Sequence, residues 1–113
     1  MNVKLSSMAY ARSGDKGKHA NVGVIFINKE IYLWALDYLT ENRILEHFKD
    51  VVKGHVIRFK LDNLYALNFI LYDSLGGGGS ESLLDDSQGK TYGQQLLNME
   101  VEIPNKFKEY INE

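Results

Sequence analysis

The segment Arg12-Ser13-Gly14-Asp15-Lys16-Gly17-Lys18-His19 separates two strand-like stretches near the start of the chain, and the second of these begins with Asn21-Val22-Gly23. Residues 3–10 before it alternate apolar and polar side chains, as in a half-buried strand. Residues 21–27 are rich in β-branched and aromatic side chains, which favours a buried strand. The polar residues 12–19 therefore predict a loop that joins the two strands of a hairpin. This loop is longer than a tight turn requires, and such length is typical of a functional loop.

The predicted loop carries groups suited to bind an anion. Gly14 and Gly17 allow backbone conformations in which successive N–H groups can face one ligand. Arg12 offers a planar guanidinium that fits a carboxylate or a phosphate, Lys16 adds a second positive charge, and Ser13 adds a hydroxyl. The sequence thus predicts a ligand-binding loop from Arg12 to Gly17.

Two interpretations of this loop remain open. In the first, Asn21 orients a polar group of the ligand and either Asp15 or Asp86 acts as an acid–base group. In the second, Arg12, Asp15 and Lys16 pair with one another, and Asn21 ties the turn together. The residue types are compatible with both.

The middle of the chain predicts three helical segments and a strand. Residues 30–39 place apolar side chains on one helical face, and Thr40 is suited to cap a second helix that runs to about Gly54. Apolar residues at positions 57, 59 and 61 alternate with Arg58 and Lys60, which predicts a strand with one solvent-exposed polar face. Residues 64–75 are apolar on nearly every side; a helix buried on two sides is predicted, with a buried strand as the alternative.

A second glycine-rich loop follows. It consists of Gly76, Gly77, Gly78 and Gly79, with Ser82, Asp86 and Lys90 as polar neighbours. Four successive glycines expose backbone donors and allow the close approach of a ligand or another chain. This loop is a second predicted ligand-binding segment, and a plain surface loop is the alternative. A helix over residues 90–98 and a final strand around residues 101–103 are predicted after it.

The order of these elements predicts an α+β fold. A ferredoxin-like split sheet with helices packed on one face is the nearest common architecture. With 113 residues, the chain is long enough for one hydrophobic core, so residues 1–113 are predicted to form a single domain.

The composition excludes several classes of function. The net charge of −2 provides no basic surface for nucleic acid. The absence of cysteine rules out thiolate metal sites, the three histidines lack metal-ligand spacing, and no cofactor is predicted. No apolar run is long enough for a membrane span or a signal peptide, so we expect a cytoplasmic protein.

The segments described above, together with Asn63-Leu64 and Ala66-Leu67-Asn68-Phe69, resemble the small ferredoxin-fold domain of AtuA-like (acyclic terpene utilisation) proteins. The resemblance runs from Leu5 to Val101. It adds Asn68 to the expected ligand-binding residues. In that family the small domain is either fused behind a larger domain or a separate short protein. The resemblance therefore implies a separate, larger AtuA-like partner and a bacterial role beside acyl-CoA or branched-acid catabolism.

Three hypotheses of function follow. The leading one is an accessory subunit that binds the larger AtuA-like chain and is not catalytic on its own. The second is a stand-alone protein or small enzyme that binds a carboxylate or a CoA-type anion. The third is a structural homo-oligomer whose glycine loops pack subunits together.

Overall fold

The computed structural model describes residues 1–74 and 92–111, with only the backbone of Lys16. Its central feature is a four-stranded antiparallel sheet in the order β2-β3-β5-β4. These strands are β2 (Ala9–Lys16), β3 (His19–Phe26), β4 (Val56–Leu61) and β5 (Ala66–Leu71). A separate antiparallel pair joins β1 (Asn2–Lys4) to β6 (Glu100–Glu102), so the first and last strands meet.

In the part of the chain that the structure describes, three α-helices accompany the sheets. They are α1 (Lys29–Tyr38), α2 (Glu41–His47) and α3 (residues 92–97). The side chain of Asn28 accepts a hydrogen bond from the N–H of Ile31 at the start of α1. Thr40 accepts one from the N–H of Arg43 at the start of α2, which confirms the predicted cap. Short 3₁₀ turns complete the described chain at Leu5–Ser7, Asp62–Leu64 and Asn105–Tyr110.

The core lies between one face of the large sheet and the helices. Because side chains alternate along β3 and β5, every second side chain of these strands lies in the core. Burial of each aliphatic or aromatic side chain stabilises the folded state by about 1.5–3 kcal/mol. The helices fill the other side with Ile31, Ala35 and Ile44, all fully buried. The sheet residues in this layer are Ala20, Val22, Val24, Phe26, Leu67, Phe69 and Leu71. Helices and antiparallel sheets in this arrangement confirm the predicted α+β class.

The predicted loop over residues 12–19 is wrong. Strand β2 continues to Lys16, and only Gly17 and Lys18 form the turn before β3 begins. Gly17 has φ +64, a left-handed conformation that glycine adopts without strain. The polar residues of β2 are strand residues because each pairs across the ladder with a residue of β3, from Ala9 opposite Phe26 to Lys16 opposite His19. The extended backbone gives no anion-binding nest there.

The helix predicted for residues 64–75 is also wrong, and the strand alternative is correct. A 3₁₀ turn ends at Leu64, Tyr65 reverses the chain at φ 52, and β5 follows. Neither face of this strand is polar enough to show a period of two, so periodicity could not separate strand from helix.

Strand β4 was correctly located, but its two faces are exchanged: the side expected to face solvent faces the helices, and the apolar side faces outward. Arg58 lies on the helix side of the sheet, where its guanidinium reaches the end of α1. Phe59 and Leu61 lie on the opposite side and are 49% and 43% exposed. The second predicted helix ends at His47 rather than near Gly54.

Candidate functional site

The side of the large sheet turned away from the helices is the outer face. Strand register places its residues in cross-strand rows, since residues directly opposite one another share a face. One row runs through Tyr10, Ile25, Ala66 and Leu61. The next row runs through Arg12, Gly23, Asn68 and Phe59. The third row runs through Gly14, Asn21, Ile70 and Ile57.

The outer face exposes large apolar side chains. Tyr10 is 73% exposed and Ile25 is 50% exposed, in addition to Phe59 and Leu61 on the far strand. Leu64, in the turn beside them, is 60% exposed. Single exposed apolar residues are ordinary on a protein surface, but a contiguous group of them marks an interaction site. The sheet thus has one covered face and one face suited to contact another molecule.

A groove of about 310 Å³ crosses the first two rows of this face. Its floor is Gly23, which has no side chain to fill the space between its neighbours. Glycine within a strand often marks a place where a ligand or another backbone approaches closely. A Cβ atom at Gly23 would lie 3.6 Å from Oδ1 of Asn68, an ordinary van der Waals contact, so a small side chain would fit here without a clash. The walls are Tyr10, Arg12, Ile25, Leu61, Leu64 and Asn68.

Three polar side chains lie among these apolar ones: Arg12, Asn21 and Asn68. Within the described residues, none of the three makes a side-chain hydrogen bond or ion pair. None of the strand positions on the outer face is acidic, although the chain has 15 acidic residues. The face therefore combines apolar surface with unpaired positive charge, and a molecule that covers it has to supply partners for these groups.

The structure divides the residues of the predicted Arg12–Gly17 site between two sides of the sheet. Arg12 and Gly14 face outward, whereas Ser13 and Asp15 face the core side and are half-buried. Ser13 Oγ accepts a hydrogen bond from the N–H of Gly93 at 3.1 Å, which is a structural contact. Because side chains alternate along a strand, Ser13 and Asp15 cannot meet the same ligand as Arg12.

The remaining predicted residues have different positions. Gly17 forms the turn at one end of the sheet, and the backbone of Lys16 pairs with His19 beside it. Asn21 and Asn68 lie on the outer face, Asn21 opposite Gly14 and Asn68 opposite Gly23. The predicted residues Gly76, Gly77, Gly78, Gly79, Ser82, Asp86 and Lys90 lie outside the described residues.

The described residues that border the second glycine-rich segment are joined to each other. The hydroxyl of Tyr92 donates to the carbonyl of Ser74 at 2.7 Å. The N–H of Ser74 donates a hydrogen bond to the carbonyl of Lys18 at 3.1 Å. The Oγ atom of Ser74 accepts one from the N–H of Ala20. The chain before and after residues 75–91 is thereby anchored beside the turn between β2 and β3.

A second groove lies at that end of the outer face. It has a volume of about 290 Å³, and its walls include His19, Asn21, Phe59 and Tyr72. The Nδ1 atom of His19 accepts a hydrogen bond from the N–H of Asp73 at 2.9 Å, so the ring is held against the sheet. Its centroid is 4.7 Å from that of Tyr72. This histidine is therefore a structural part of the groove wall.

Among the described residues, Tyr32 has the most strongly shifted pKa, and it lies on α1, away from the outer face. Burial first, and then the hydrogen bond to Asp62, raises the pKa of Tyr32 to about 12. Tyr32 packs against Tyr65 at the turn into β5 and positions that turn. No group of three or more potential metal ligands occurs in the portions of the chain that the structure describes.

Several residues of the site were not predicted from the sequence. Tyr10, Gly23, Ile25, Phe59 and Leu61 line the outer face, yet each was assigned to the core or given no role. The signal was present in β4, where apolar residues alternate with Arg58 and Lys60. Only the tertiary structure shows that the helices cover the Arg58 side and leave the apolar side open.

The fold and the open face define a class of protein: a small α+β domain with a sheet surface available for another molecule. More specifically, the chain belongs to the AtuA ferredoxin-like domain family, whose sequence profile matches residues 3–102. This match confirms the resemblance noted from the sequence. No curated protein and no solved structure matched the chain. Within the described parts, no helix has the length and apolarity needed to cross a bilayer.

Proposed function

We propose that this chain is an accessory domain that binds a larger AtuA-like chain through its outer face. The observation that carries the proposal is the face of the β2-β3-β5-β4 sheet that the described residues leave uncovered, with Tyr10 and Phe59 exposed on opposite edge strands. Family membership supports the same conclusion, since the family is that of AtuA ferredoxin-like domains. The pair would act in the cytoplasm, in acyl-CoA or branched-acid catabolism, and the small chain alone would have no catalytic activity.

A partner that covers the outer face would remove the apolar side chains of this face from water. Burying apolar surface stabilises a complex by about 25 cal/mol per Å² before the cost of association is subtracted. Aromatic residues and arginine are the side chains that most often dominate such interfaces. The outer face presents Tyr10, Phe59 and Arg12 together. A covered interface therefore needs apolar residues opposite the aromatic rings and an acceptor opposite Arg12.

Native mass spectrometry of the chain, alone and mixed with the larger AtuA-like chain from the same source, tests the proposal. We expect a stable mixed complex. Phe59→Glu should abolish it, because the substitution replaces an exposed aromatic ring of the interface with a charge that would be buried without a partner. Leu33→Glu is the matched control: Leu33 is also 49% exposed, but it lies on α1, on the other side of the molecule.

Three results would contradict the proposal. A monomer that does not bind the larger chain would exclude the accessory role. A homo-oligomer indifferent to that chain would favour the structural hypothesis or a stand-alone binding protein. Equal loss of the complex in the Phe59 and Leu33 variants would show that the outer face is not the docking surface. Thermal unfolding of both variants separates lost binding from lost folding.

A further inference from the structure

The groove over Gly23 has the properties of a small-ligand site. Arg12 and Asn68 lie on either side of Gly23 in one cross-strand row. Adjacent strands are about 4.8 Å apart, so the two flanking backbones are roughly 10 Å apart. No side chain rises between them, because the residue between is glycine. A ligand group placed over Gly23 would thus have a guanidinium on one side and an amide on the other.

The other end of the groove is apolar. Its walls there are Tyr10, Ile25, Leu61 and Leu64. At about 30 Å³ per atom, a volume near 310 Å³ holds about ten non-hydrogen atoms. The shape and the wall residues therefore suit a compact molecule with an apolar body and one polar end.

The positive charge in the groove indicates which polar group the ligand has at its polar end. Arg12 is the one charged residue among those that line the groove, and it has no acidic partner in the described structure. One guanidinium balances one negative charge and can bind a carboxylate through two parallel hydrogen bonds. The atom of Asn68 nearest the Gly23 position is Oδ1, and a half-turn of the amide would bring its NH₂ group there to donate a further hydrogen bond. A phosphate monoester, with nearly two negative charges at neutral pH, would leave charge unbalanced.

We propose that the groove binds a small organic monocarboxylate, with its carboxylate over Gly23 between Arg12 and Asn68 and its apolar body against Tyr10, Ile25 and Leu64. This inference goes beyond the proposed function, since binding to the isolated chain does not require the larger one. Phe59 does not line the groove, so the docking test and the ligand test use different residues.

Octanoate, which has about ten non-hydrogen atoms, is a suitable probe, and 1-octanol is the same chain without the charge. Titration followed by amide chemical shifts should give a dissociation constant for octanoate of about 0.1–1 mM, as expected for a ligand of this size. The shifts should be centred on Gly23, Ile25 and Asn68. The affinity for 1-octanol should be at least about tenfold lower.

Two variants test the assignment of the groove. Arg12→Gln should weaken octanoate binding about tenfold or more, whereas Lys49→Gln, which removes an exposed positive charge near α2, should leave it unchanged. Gly23→Val should abolish binding by filling the groove. Because a Cβ atom at this position meets nothing closer than 3.6 Å, the fold should survive, which thermal unfolding checks. If the valine variant does not fold, Gly23→Ala should still reduce the affinity.

Absence of octanoate binding would overturn the proposal. Chemical shifts centred on another surface, equal affinity for 1-octanol, or full affinity in the folded Gly23 variants would do so as well. The octanoate titration uses the isolated chain, so its outcome does not depend on whether the larger chain binds. Absence of octanoate binding would likewise not contradict the docking of the larger chain.

Discussion

The hydroxyl of Ser13 and the backbone N–H of Gly93 form a hydrogen bond of 3.1 Å across 80 residues of sequence. The bond attaches the edge strand β2 to α3. The two backbones are close as well, because a Cβ atom at Gly93 would lie 3.5 Å from the carbonyl carbon of Arg12. Ser13 therefore links β2 to α3, whereas its neighbour Arg12 faces outward from the same strand.

We expect Ser13→Ala to destabilise the fold by about 1 kcal/mol, because the part-buried N–H of Gly93 loses its acceptor. Urea denaturation monitored by circular dichroism measures the change. Ser6→Ala is the control, since Ser6 is exposed and its replacement should stay within about 0.5 kcal/mol of the wild type. Equal stability of the Ser13 variant and the control would mean that this bond contributes nothing.

Arg58 stabilises the end of α1. Its Nη1 atom donates to the carbonyls of Leu36 at 2.8 Å and Leu39 at 2.9 Å. Both lie at the end of a helix, where the last carbonyls have no partner within the helix. Arg58→Gln should therefore lower the free energy of unfolding by about 2 kcal/mol, since hydrogen bonds from a charged donor are the stronger ones. Lys60→Gln, two positions along the same strand and exposed, should change it by less than about 0.5 kcal/mol. A similar loss in both variants would argue for a general charge effect instead.

Because of Tyr32, the free energy of unfolding should depend on pH in the alkaline range. Burial and the hydrogen bond to Asp62 raise its pKa to about 12 from 10.0, so the folded state favours the neutral phenol. A raised pKa of this kind stabilises the fold below about pH 10, and the contribution is lost as the pH rises through about 12.

Tyr32→Phe should thus lower stability by about 1 kcal/mol at neutral pH, and the difference from the wild type should shrink between about pH 10 and 12. Urea midpoints across this range provide the measurement. Tyr10→Phe removes an exposed hydroxyl and serves as the control. A difference for Tyr32→Phe that stays constant over the whole range would contradict the assigned linkage.

Two of the wrong secondary-structure predictions involve the outer face. Residues 12–16 were assigned to a loop because their side chains are polar, yet Arg12 and Gly14 are outward-facing residues of a strand. Residues 64–75 were assigned to a helix because the strand β5 is apolar on both sides, with Phe69 buried and Ile70 outward. A sheet that is polar on its outer side produces a clear period of two. An outer face that itself has apolar residues for contact with another molecule removes that signal, so local rules fail where function is expected.

Several features were determined by the sequence alone. Helical periodicity located α1, the side chain of Thr40 placed the start of α2, and alternation located β4 and β6. The presence of both helical and strand patterns was sufficient for the α+β class, and the motifs from Leu5 to Val101 were sufficient for the family. These are local or additive properties: a cap, a period, or a set of residues in order, each readable without knowledge of which strands pair.

The tertiary structure decided which side of each strand faces the core. The pairing order β2-β3-β5-β4 brings Arg12, Gly23 and Asn68 into one row, although Asn68 is 45 residues after Gly23 in the chain. The helices cover the side that includes Val22 and Phe69, and the opposite side with its groove is left open. Strand register and helix placement depend on the packing of the whole core, because a shift of one residue would exchange the two faces. No short segment of the sequence contains that information.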